Sequence, residues 1–265
     1  MSHPNEHEVI LEAQNLRKEF GGLVAVDDVS LQVRARTLHS IIGPNGAGKT
    51  TLFNLLSGTL TPTRGSIFLK GRDITHLPPH RIAHLGLGRT FQITNIFPNL
   101  TVLENIRLAA QAVGHDNLKL FRRSDTLVKY IEKAENVIGQ VGLQGREQWY
   151  ALALPHGDKR KLELGIMLAS DPELLLLDEP TAGMSSEQVP MLLDIIRNIM
   201  SSRDKTVVLV EHRMDMVMSI SDRITVMHQG KVLAEGSPRE IAADETVQSA
   251  YLGGLYGDLS AQVEG

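Results

Sequence analysis

Residues 38–50, with the sequence LHSIIGPNGAGKT, give the strongest indication of the architecture of this 265-residue chain. LHSII is a short apolar run of the kind that forms a buried strand. Gly43–Thr50 then matches the pattern G-x-x-x-x-G-K-[ST], and the TLFNLLSG that follows has its leucines at helical spacing. Strand, glycine loop and helix in this order predict a phosphate-binding site, because backbone N–H groups and the helix N-terminus point at one anion.

The glycine loop also assigns roles to individual side chains. Lys49 is expected to reach the β- and γ-phosphates of a nucleotide, and the Thr50 hydroxyl is expected to bind Mg²⁺. The nucleotide-binding residues predicted from this loop are Asn45, Gly46, Ala47, Gly48, Lys49, Thr50 and Thr51.

A second motif, LLLLDEP at residues 174–180, supplies acidic groups. In proteins with this type of loop, a buried apolar strand that ends in an aspartate places a carboxylate beside the metal, which is the role expected for Asp178. Glu179 is one residue further, where it can polarise the attacking water as a general base. An apolar strand that ends in acids is common by itself, so this assignment depends on the phosphate loop upstream.

The composition limits the classes of protein to which the chain can belong. Hydrophobic residues make up 42% and charged residues 22%, as in ordinary soluble globular proteins. A net charge of -4 disfavours a nucleic-acid partner, and the absence of cysteine excludes disulfides and thiolate metal sites. No apolar run approaches the ~20 residues of a membrane span, and MSHPNEHEV lacks a signal-peptide pattern. We therefore expect a cytosolic chain that contacts a membrane only through a partner.

The hydrophobic pattern along the chain predicts two kinds of structure. The pattern of residues 9–42 predicts strands. The pattern after Asp171 predicts alternating strands and helices, which suits a parallel sheet buried on both faces. From about Asn95 to Leu154 the pattern changes to that of amphipathic helices, with one apolar face in residues 125–143. A helical lobe is therefore predicted to be inserted into an α/β core.

Five short motifs follow one another in a fixed order. After GPNGAGKT come RTFQ with Gln92, LPHGDKRKLELG at residues 154–165, LLLLDEP, and VLVEH with His212. With this set of motifs the chain resembles the ATP-binding-cassette ATPases, the nucleotide-hydrolysing subunits of membrane transporters, over nearly its whole length. The resemblance implies ATP and Mg²⁺ as ligands, and ATP hydrolysis coupled to transmembrane transport as the activity.

The resemblance also implies the architecture. We expect an α/β fold, namely a P-loop NTPase (RecA-like) core with an antiparallel β subdomain and an inserted α-helical subdomain. The expected boundaries are 8–94 and 165–240 for the ATP-binding core, 95–164 for the helical subdomain and 241–265 for a C-terminal helix and tail.

Three further site residues are implied by the resemblance. Gln92 corresponds to the hinge glutamine that joins the core to the helical subdomain and contacts metal and water. His212 corresponds to the switch histidine that contacts the γ-phosphate, and Phe20 in KEFGG to the aromatic residue that stacks on adenine. The expected catalytic residues are thus Glu179, His212 and Gln92, and the expected metal ligands are Thr50, Gln92 and Asp178.

The family also has an LSGGQ signature at a helix N-terminus. In a head-to-tail dimer, each signature caps the γ-phosphate that is held by the other subunit's glycine loop, which is anion binding at a helix N-terminus. The matching residues here are LPHGD at 154–158, called the signature segment below. The members expected to face the partner's nucleotide are Pro155, His156, Gly157 and Asp158.

The signature segment departs from the family pattern. Pro155 replaces a serine and has neither a hydroxyl nor an N–H to donate. Asp158 replaces a glutamine, and the basic residues 159–161 after it are either its counter-charges or an ordinary solvated helix face. Ser185 in AGMS stands where the family has an aspartate that links the two active sites. One hypothesis is therefore that this chain has a weak signature and its partner a stronger one.

Other stretches resemble one branch of the family more closely. Three stretches are similar to the importer ATPases for branched-chain or hydrophobic amino acids, namely GRTFQITNIFPNLTVLENI, LRKEFGGLVAVDDVSL and VQSAYLGG. The His-Gly-acid-Lys pattern at 156–159 is closer to members assigned to urea or amides. The branch implies two integral-membrane permeases, a second cassette ATPase (a paralogue or a copy), and indirectly a periplasmic solute-binding protein. It implies a peripheral location on the cytoplasmic face of a bacterial or archaeal cell membrane.

Alternative functions remain open at this point. A cassette of the lipopolysaccharide-export type has a similar VxxxYLG ending and would form homodimers without a binding protein. A cassette that binds ATP but hardly hydrolyses it is favoured by Pro155, and disfavoured by the intact Lys49, Asp178, Glu179 and His212. Soluble cassettes of DNA repair or translation carry long coiled-coil inserts or two fused cassettes, and neither is present in this sequence.

Overall fold

The computed structural model describes residues 8–89, 96–112, 125–202 and 204–252. The strands are β1 (Val9–Phe20), β2 (Leu23–Arg34), β3 (Leu38–Ile42), β4 (Arg64–Leu69), β5 (Arg72–Asp73), β6 (Leu87–Arg89), β7 (Leu174–Asp178), β8 (Thr206–Val210), β9 (Arg223–His228) and β10 (Lys231–Gly236). The helices are α1 (Lys49–Leu56), α2 (Pro79–His84), α3 (Val102–Ala112), α4 (Asp125–Gln140), α5 (His156–Ala169), α6 (Val189–Ser201), α7 (Met214–Ile220), α8 (Pro238–Ala243) and α9 (Glu245–Leu252).

A six-stranded sheet in the order β10-β9-β3-β8-β7-β6 forms the centre of the molecule. The pairs β9–β3, β3–β8, β8–β7 and β7–β6 are parallel, and β10 is an antiparallel edge strand. Every residue of β3, β7 and β8 is buried, which explains why these strands are apolar runs without alternation. The α/β class predicted from the sequence is confirmed.

The antiparallel β subdomain is a four-stranded sheet in the order β2-β1-β4-β5. In β2, Val29, Leu31 and Val33 are buried while the residues between them are exposed, as expected for a sheet with one face in the core. The buried face forms one hydrophobic cluster with Phe53 of α1 and Leu176 of β7. The two sheets therefore enclose the helix that follows the glycine loop.

Helices α3, α4 and α5 form the helical part of the molecule. Ile106, Val137 and Leu162, one from each helix, lie in a single buried cluster. The predicted boundary between residues 164 and 165 falls within α5, so a continuous helix leaves the signature segment and runs towards β7. No helix in the described part of the chain is long and apolar enough to span a membrane.

Two short helices follow β10 at the C-terminal end. Helix α8 begins with a capping box, in which the Ser237 hydroxyl accepts from the Glu240 N–H and the Glu240 carboxylate accepts from the Ser237 N–H. The predicted start of the C-terminal segment at residue 241 lies inside α8, and α9 follows it. Residues 253–265 of that segment lie outside the described ranges.

A histidine lies in the middle of the central sheet. His39 of β3 is 1% exposed, and its Nε2 is 2.7 Å from the Thr225 hydroxyl of β9. Burial lowers the pKa of His39 from 6.5 to about 4, with a nearby Glu235 opposing the shift and Arg223 adding to it. Because the folded protein holds a neutral imidazole, the unfolded chain binds more protons between these two pH values.

We expect His39 to make the protein less stable in mild acid. The free energy of unfolding should be independent of this group above about pH 6.5 and should fall as the pH drops towards 4. Between pH 7.5 and 5.0 the loss amounts to about 2 kcal/mol, measured by urea unfolding at both values. His39→Gln should lose this dependence, whereas His84→Gln, at an exposed position, should keep it. An equal acid loss in His39→Gln and in the parent would contradict the assignment.

Candidate functional site

The glycine loop is packed closely against two strands of the fold. A Cβ atom added at Gly43 would lie 2.3 Å from the Met227 carbonyl oxygen of β9, and one added at Gly48 would lie 2.3 Å from the Ala25 carbonyl oxygen of β2. Gly48 also has φ +98°, in the left-handed region that favours glycine. Gly46, by contrast, has open space around it. The loop is thus anchored at both ends, with its middle left accessible to a ligand.

Lys49 lies inside this loop. It is 6% exposed, and its ammonium group donates to the carbonyl oxygens of Gly43 at 2.7 Å and Pro44 at 3.0 Å. Burial lowers the pKa of Lys49, and the carboxylates of Glu179 and Asp178 oppose the shift. The ammonium group is therefore bonded to the loop carbonyls and lies within electrostatic reach of the two acids of LLLLDEP.

The other loop residues differ in their exposure. Asn45, Gly46 and Thr50 are exposed, whereas the methyl group of Ala47 is buried in the core. Thr51 is half-buried on the first turn of α1. Side-chain contact with a ligand is therefore open to Asn45 and Thr50, while Ala47 can offer only its backbone N–H.

Asp178 is the last residue of β7, at the carboxyl edge of the parallel sheet. It is 4% exposed, and its carboxylate lies 3.6 Å from Nη2 of Arg89 at the end of β6. Burial raises the pKa of Asp178, while the charge of Arg89 opposes the shift. A buried carboxylate and the Thr50 hydroxyl provide oxygen donors, which is the ligand chemistry that Mg²⁺ prefers. These residues fit a magnesium ion brought in with a nucleotide.

Arg89 is a site residue that the sequence reasoning missed. Its Nη1 donates to the hydroxyls of Ser57 at 2.5 Å and Thr59 at 3.0 Å, after α1, and its guanidinium lies 5.2 Å from the ring centre of Phe53. One side chain thereby connects the segment after the glycine-loop helix with Asp178. The sequence did contain a signal for Arg89, because it is the arginine of the RTFQ motif and the last residue of the short strand that begins at Leu87. Gln92 of the same motif lies outside the described residues.

Glu179 and His212 form a direct contact. Nε2 of His212 is 2.6 Å from Oε1 of Glu179, and the Glu179 N–H donates to the Val210 carbonyl at 2.9 Å. β7 and β8 are parallel neighbours, so the residues after each of them meet at the same edge of the sheet. Glu179 has φ +45°, a left-handed conformation that costs a non-glycine residue about 1–2 kcal/mol. This turn directs the Glu179 side chain towards the histidine.

The signature segment begins α5. Pro155 is the N-cap residue and gives the helix no side-chain cap. Asp158 is 9% exposed, and its carboxylate forms ion pairs with Arg146 and with Lys161, the latter at 3.2 Å. Arg160 pairs with Glu163 at 2.9 Å. The negative charge of Asp158 is therefore balanced inside its own chain, and residues 160 and 161 are not a solvated helix face.

His156 and Gly157 contact the AGMS loop (residues 182–185) and the start of α6. Nε2 of His156 is 3.5 Å from the Ala182 carbonyl, and a Cβ added at Gly183 would lie 2.8 Å from the same nitrogen. A Cβ added at Gly157 would lie 3.1 Å from the Gln188 amide nitrogen. The glycines at both positions thus let the signature segment approach the AGMS loop of the same chain.

Phe20 lies at the end of β1, and its side chain is accessible. It is 45% exposed, and the Lys18 ammonium lies 5.2 Å from the centre of its ring. Across the β1–β2 hairpin it pairs with Leu23, two residues before Ala25, whose carbonyl contacts Gly48. The exposed ring is therefore available to stack on a planar group such as adenine, near the side of the glycine loop that faces the antiparallel sheet.

The predicted site residues fall into three groups. Lys49, Asp178, Glu179 and His212 come together at the carboxyl edge of the sheet. The signature segment lies against the AGMS loop, and Phe20 lies on the antiparallel sheet. Together the first group can bind phosphates, hold a divalent cation and orient a water molecule for attack on phosphorus.

Two protein-family models match parts of this chain. The family model described as "ABC transporter" matches residues 26–182, and the model described as "Branched-chain amino acid ATP-binding cassette transporter" matches residues 231–255. The high-affinity branched-chain amino acid transport ATP-binding protein LivG of Salmonella typhimurium is 41% identical over 255 residues, covering 92% of this chain and 98% of LivG.

Two further similarities bear on the fold and on the alternatives. The lipopolysaccharide export system ATP-binding protein LptB of Acidithiobacillus ferridurans is 34% identical over 247 residues, covering 93% of this chain and 98% of LptB. The crystal structure of the ADP conformation of MJ1267, an ATP-binding cassette of an ABC transporter, superimposes with a TM-score of 0.81 at 30% identity, covering 92% of this chain and 99% of MJ1267.

Proposed function

This chain belongs to the ABC transporter ATP-binding family, and we propose that it is the ATP-hydrolysing motor subunit of an importer for branched-chain amino acids or a related small polar solute. The observation that carries the proposal is the Glu179–His212 contact beside Lys49, in a chain whose residues 231–255 match the branched-chain amino acid cassette model. A base, a γ-phosphate contact and a phosphate-binding lysine at one sheet edge are what ATP hydrolysis requires.

The described residues divide the work of hydrolysis among them. Lys49 releases the loop carbonyls and binds the β- and γ-phosphates, and the loop N–H groups bind the rest of the triphosphate. Thr50 and Asp178 would hold Mg²⁺, which would supply positive charge to stabilise the phosphate oxygens. Glu179 takes a proton from the attacking water as the water oxygen bonds to the γ-phosphorus and the bond to ADP breaks, and the proton then passes to the released phosphate or to solvent. His212 exchanges its contact with Glu179 for the γ-phosphate.

The signature segment completes this site in the second subunit. In the proposed head-to-tail dimer, the N-terminus of α5 in one subunit caps the γ-phosphate on the other, with His156 and Gly157 on the contact surface. Asp158 contributes through its ion pairs with Arg146 and Lys161, which keep its charge away from the phosphate. ATP binding closes the dimer, the two permeases change state, and hydrolysis reopens it.

The location and the partners follow from this role. We place the chain on the cytoplasmic face of a bacterial or archaeal cell membrane, bound to two integral-membrane permeases and to a second cassette ATPase. A solute-binding protein acts on the other side of the membrane, and nucleic acid has no part in the cycle. The cargo never touches this subunit, so the urea or amide class stays an alternative to branched-chain amino acids.

The experiment that tests the proposal is mass spectrometry of proteins that co-purify with the tagged chain from gently solubilised native membranes. Two polytopic proteins and a second, different cassette ATPase would support the importer, and the attached binding protein would identify the cargo. Copies of this chain with permeases but without a binding protein would favour lipopolysaccharide-type export, for which the similarity to LptB is the supporting observation. Soluble partners alone would contradict a transport role.

We predict that Pro155→Ser raises the rate of ATP hydrolysis. A serine at the N-cap of α5 would accept from the Asp158 N–H in the resting state and would give the partner's γ-phosphate a hydroxyl donor. Since one hydrogen bond to a charged group is worth about 1.5–3 kcal/mol, we expect an increase of roughly tenfold at limiting ATP. Pro155→Ala is the matched control, because it removes the ring without adding the donor. A serine variant no faster than the alanine variant would contradict the hypothesis of a weak signature.

A further inference from the structure

Glu211 is a buried acid between β8 and the switch histidine that the mechanism above does not use. It is 2% exposed, and its charge adds to that of Asp215 in raising the pKa of the neighbouring Arg213, although no lysine or arginine of residues 8–89, 96–112, 125–202 and 204–252 lies within ion-pair distance of it. A carboxylate in such a place must be stabilised by hydrogen bonds, because burying an unpaired charge is strongly unfavourable. The identity of its donors therefore indicates what the residue holds in place.

The three donors to Glu211 come from the segments that carry the catalytic groups. Oε1 accepts from the Thr181 backbone N–H at 2.9 Å and from the Thr181 hydroxyl at 2.6 Å. Oε2 accepts from the His212 backbone N–H at 3.0 Å. One carboxylate thus connects the turn after β7 with the turn after β8, and hydrogen bonds to an ionised group are among the stronger ones in proteins.

These bonds close a ring that contains the two catalytic side chains. Thr181 is two residues after Glu179, in a turn in which the Ala182 N–H donates to the Glu179 carbonyl at 3.0 Å. On the other side, His212 contacts Glu179 through Nε2 at 2.6 Å. The path runs from Glu179 through the turn to Thr181, across Glu211 to His212, and back to Glu179. The left-handed backbone of Glu179 lies inside this ring and is held by it.

We propose that Glu211 is a positioning residue that sets the distance and orientation between the general base Glu179 and the switch His212. Because Thr181 directly precedes the AGMS loop, Glu211 also connects the position of that loop to the backbone of His212. A displacement of the loop by the partner subunit is then transmitted to the histidine. The inference deepens the proposed ATPase function and rests on it.

The test uses the full chain and the variants Glu211→Gln and Thr181→Val. An amide keeps the size of the carboxylate but offers one acceptor oxygen, so either the Thr181 or the His212 N–H loses its acceptor. We expect kcat to fall about 10- to 100-fold in Glu211→Gln, with the Kd for ATP unchanged within twofold, since the phosphate loop is untouched. Thr181→Val should also lower kcat, whereas Thr181→Ser, which keeps the hydroxyl, should have the parent rate. The double variant Glu211→Gln with Thr181→Val should be no slower than Glu211→Gln alone, because both changes break the same connection between Thr181 and Glu211.

The control is Val208→Ala, which creates a cavity at a buried position of β8, away from the ring of hydrogen bonds around Glu211. Hydrogen exchange of peptides covering residues 178–186 and 210–214 provides a readout independent of turnover. We expect the Thr181 and His212 amides to exchange about tenfold faster in Glu211→Gln and not in Val208→Ala. Equal kcat in Glu211→Gln and Val208→Ala, or unchanged exchange at these amides, would overturn the positioning role.

Failure of the proposed function gives a different result. If the parent chain binds ATP but does not hydrolyse it, and faster exchange at Thr181 and His212 is still seen in Glu211→Gln, the ATPase assignment fails while the connection made by Glu211 stands. If Glu211→Gln does not fold, the pair Thr181→Val and Thr181→Ser decides. A valine variant as active as the serine variant would then overturn the inference.

Discussion

Replacing Glu179 by glutamine is expected to lower kcat by about 10²- to 10⁴-fold while leaving ATP binding intact. The amide keeps the shape of the side chain, and its oxygen can still accept from His212 Nε2 across the 2.6 Å contact. It cannot take a proton from water, so the bound ATP persists and holds the two subunits together. Steady-state ATPase assays, nucleotide titration and size-exclusion chromatography with ATP check the rate, the affinity and the trapped dimer.

The control for this variant is Glu132→Gln, the same chemical change at an exposed position on α4. It should hydrolyse ATP at the parent rate and should not accumulate as a dimer. If Glu179→Gln hydrolyses ATP as fast as the parent, the assignment of the general base is wrong. If it loses ATP binding as well, Glu179 has a role in the ground state that the resting geometry does not explain.

Replacing Lys49 by methionine is expected to have two effects at one site. The variant loses the charge-assisted bonds to the β- and γ-phosphates, which should weaken ATP binding by roughly 10- to 100-fold and abolish measurable hydrolysis. It also loses the hydrogen bonds to the Gly43 and Pro44 carbonyls that hold the loop in the resting state. Titration with a fluorescent ATP analogue and an ATPase assay measure both consequences.

Lys129→Met, at an exposed position on α4, is the matched control and should bind ATP as the parent does. Binding within twofold of the parent in Lys49→Met would remove the lysine from the phosphate site. Because methionine keeps the apolar stem of the side chain, loss of binding cannot be assigned to a cavity in the core.

Much of the fold could be predicted from local patterns. The apolar runs at β3, β7 and β8 predicted buried parallel strands, and all of their residues are buried. The helical periodicity of residues 125–143 predicted α4, whose Val137 packs with the other two helices of that part. These predictions succeed because burial on one face or on both faces dictates the period of apolar residues. Domain boundaries have no such period, so the predicted limits after residues 164 and 240, which lie within α5 and α8, stay predictions.

The candidate site could be predicted less completely. The motifs identified Lys49, Asp178, Glu179 and His212, which the fold brings to one sheet edge. The ion pair of Asp158 with Arg146 was not predictable. The two residues are twelve positions apart in the sequence, and Asp158 lies in the first turn of α5 whereas Arg146 lies before that helix begins. From the sequence, the basic residues 159–161 could be either counter-charges of Asp158 or a solvated helix face. In the structure, Lys161 forms an ion pair with Asp158.

The α/β class, the phosphate loop and the kinds of chemical group in the site could be predicted from the order of residues alone, since each of these depends on residues close together in the chain. Which of these groups contact one another depends on how the strands and turns pack together. Glu179 and His212 are 33 residues apart, and they touch because parallel pairing of β7 with β8 fixes where both strands end. Glu211 stands in VLVEH beside His212, but nothing in that motif indicates a positioning role for it. Its importance arises from burial and from donors 30 residues away, and hydrogen bonds of that range exist only after the strands have packed.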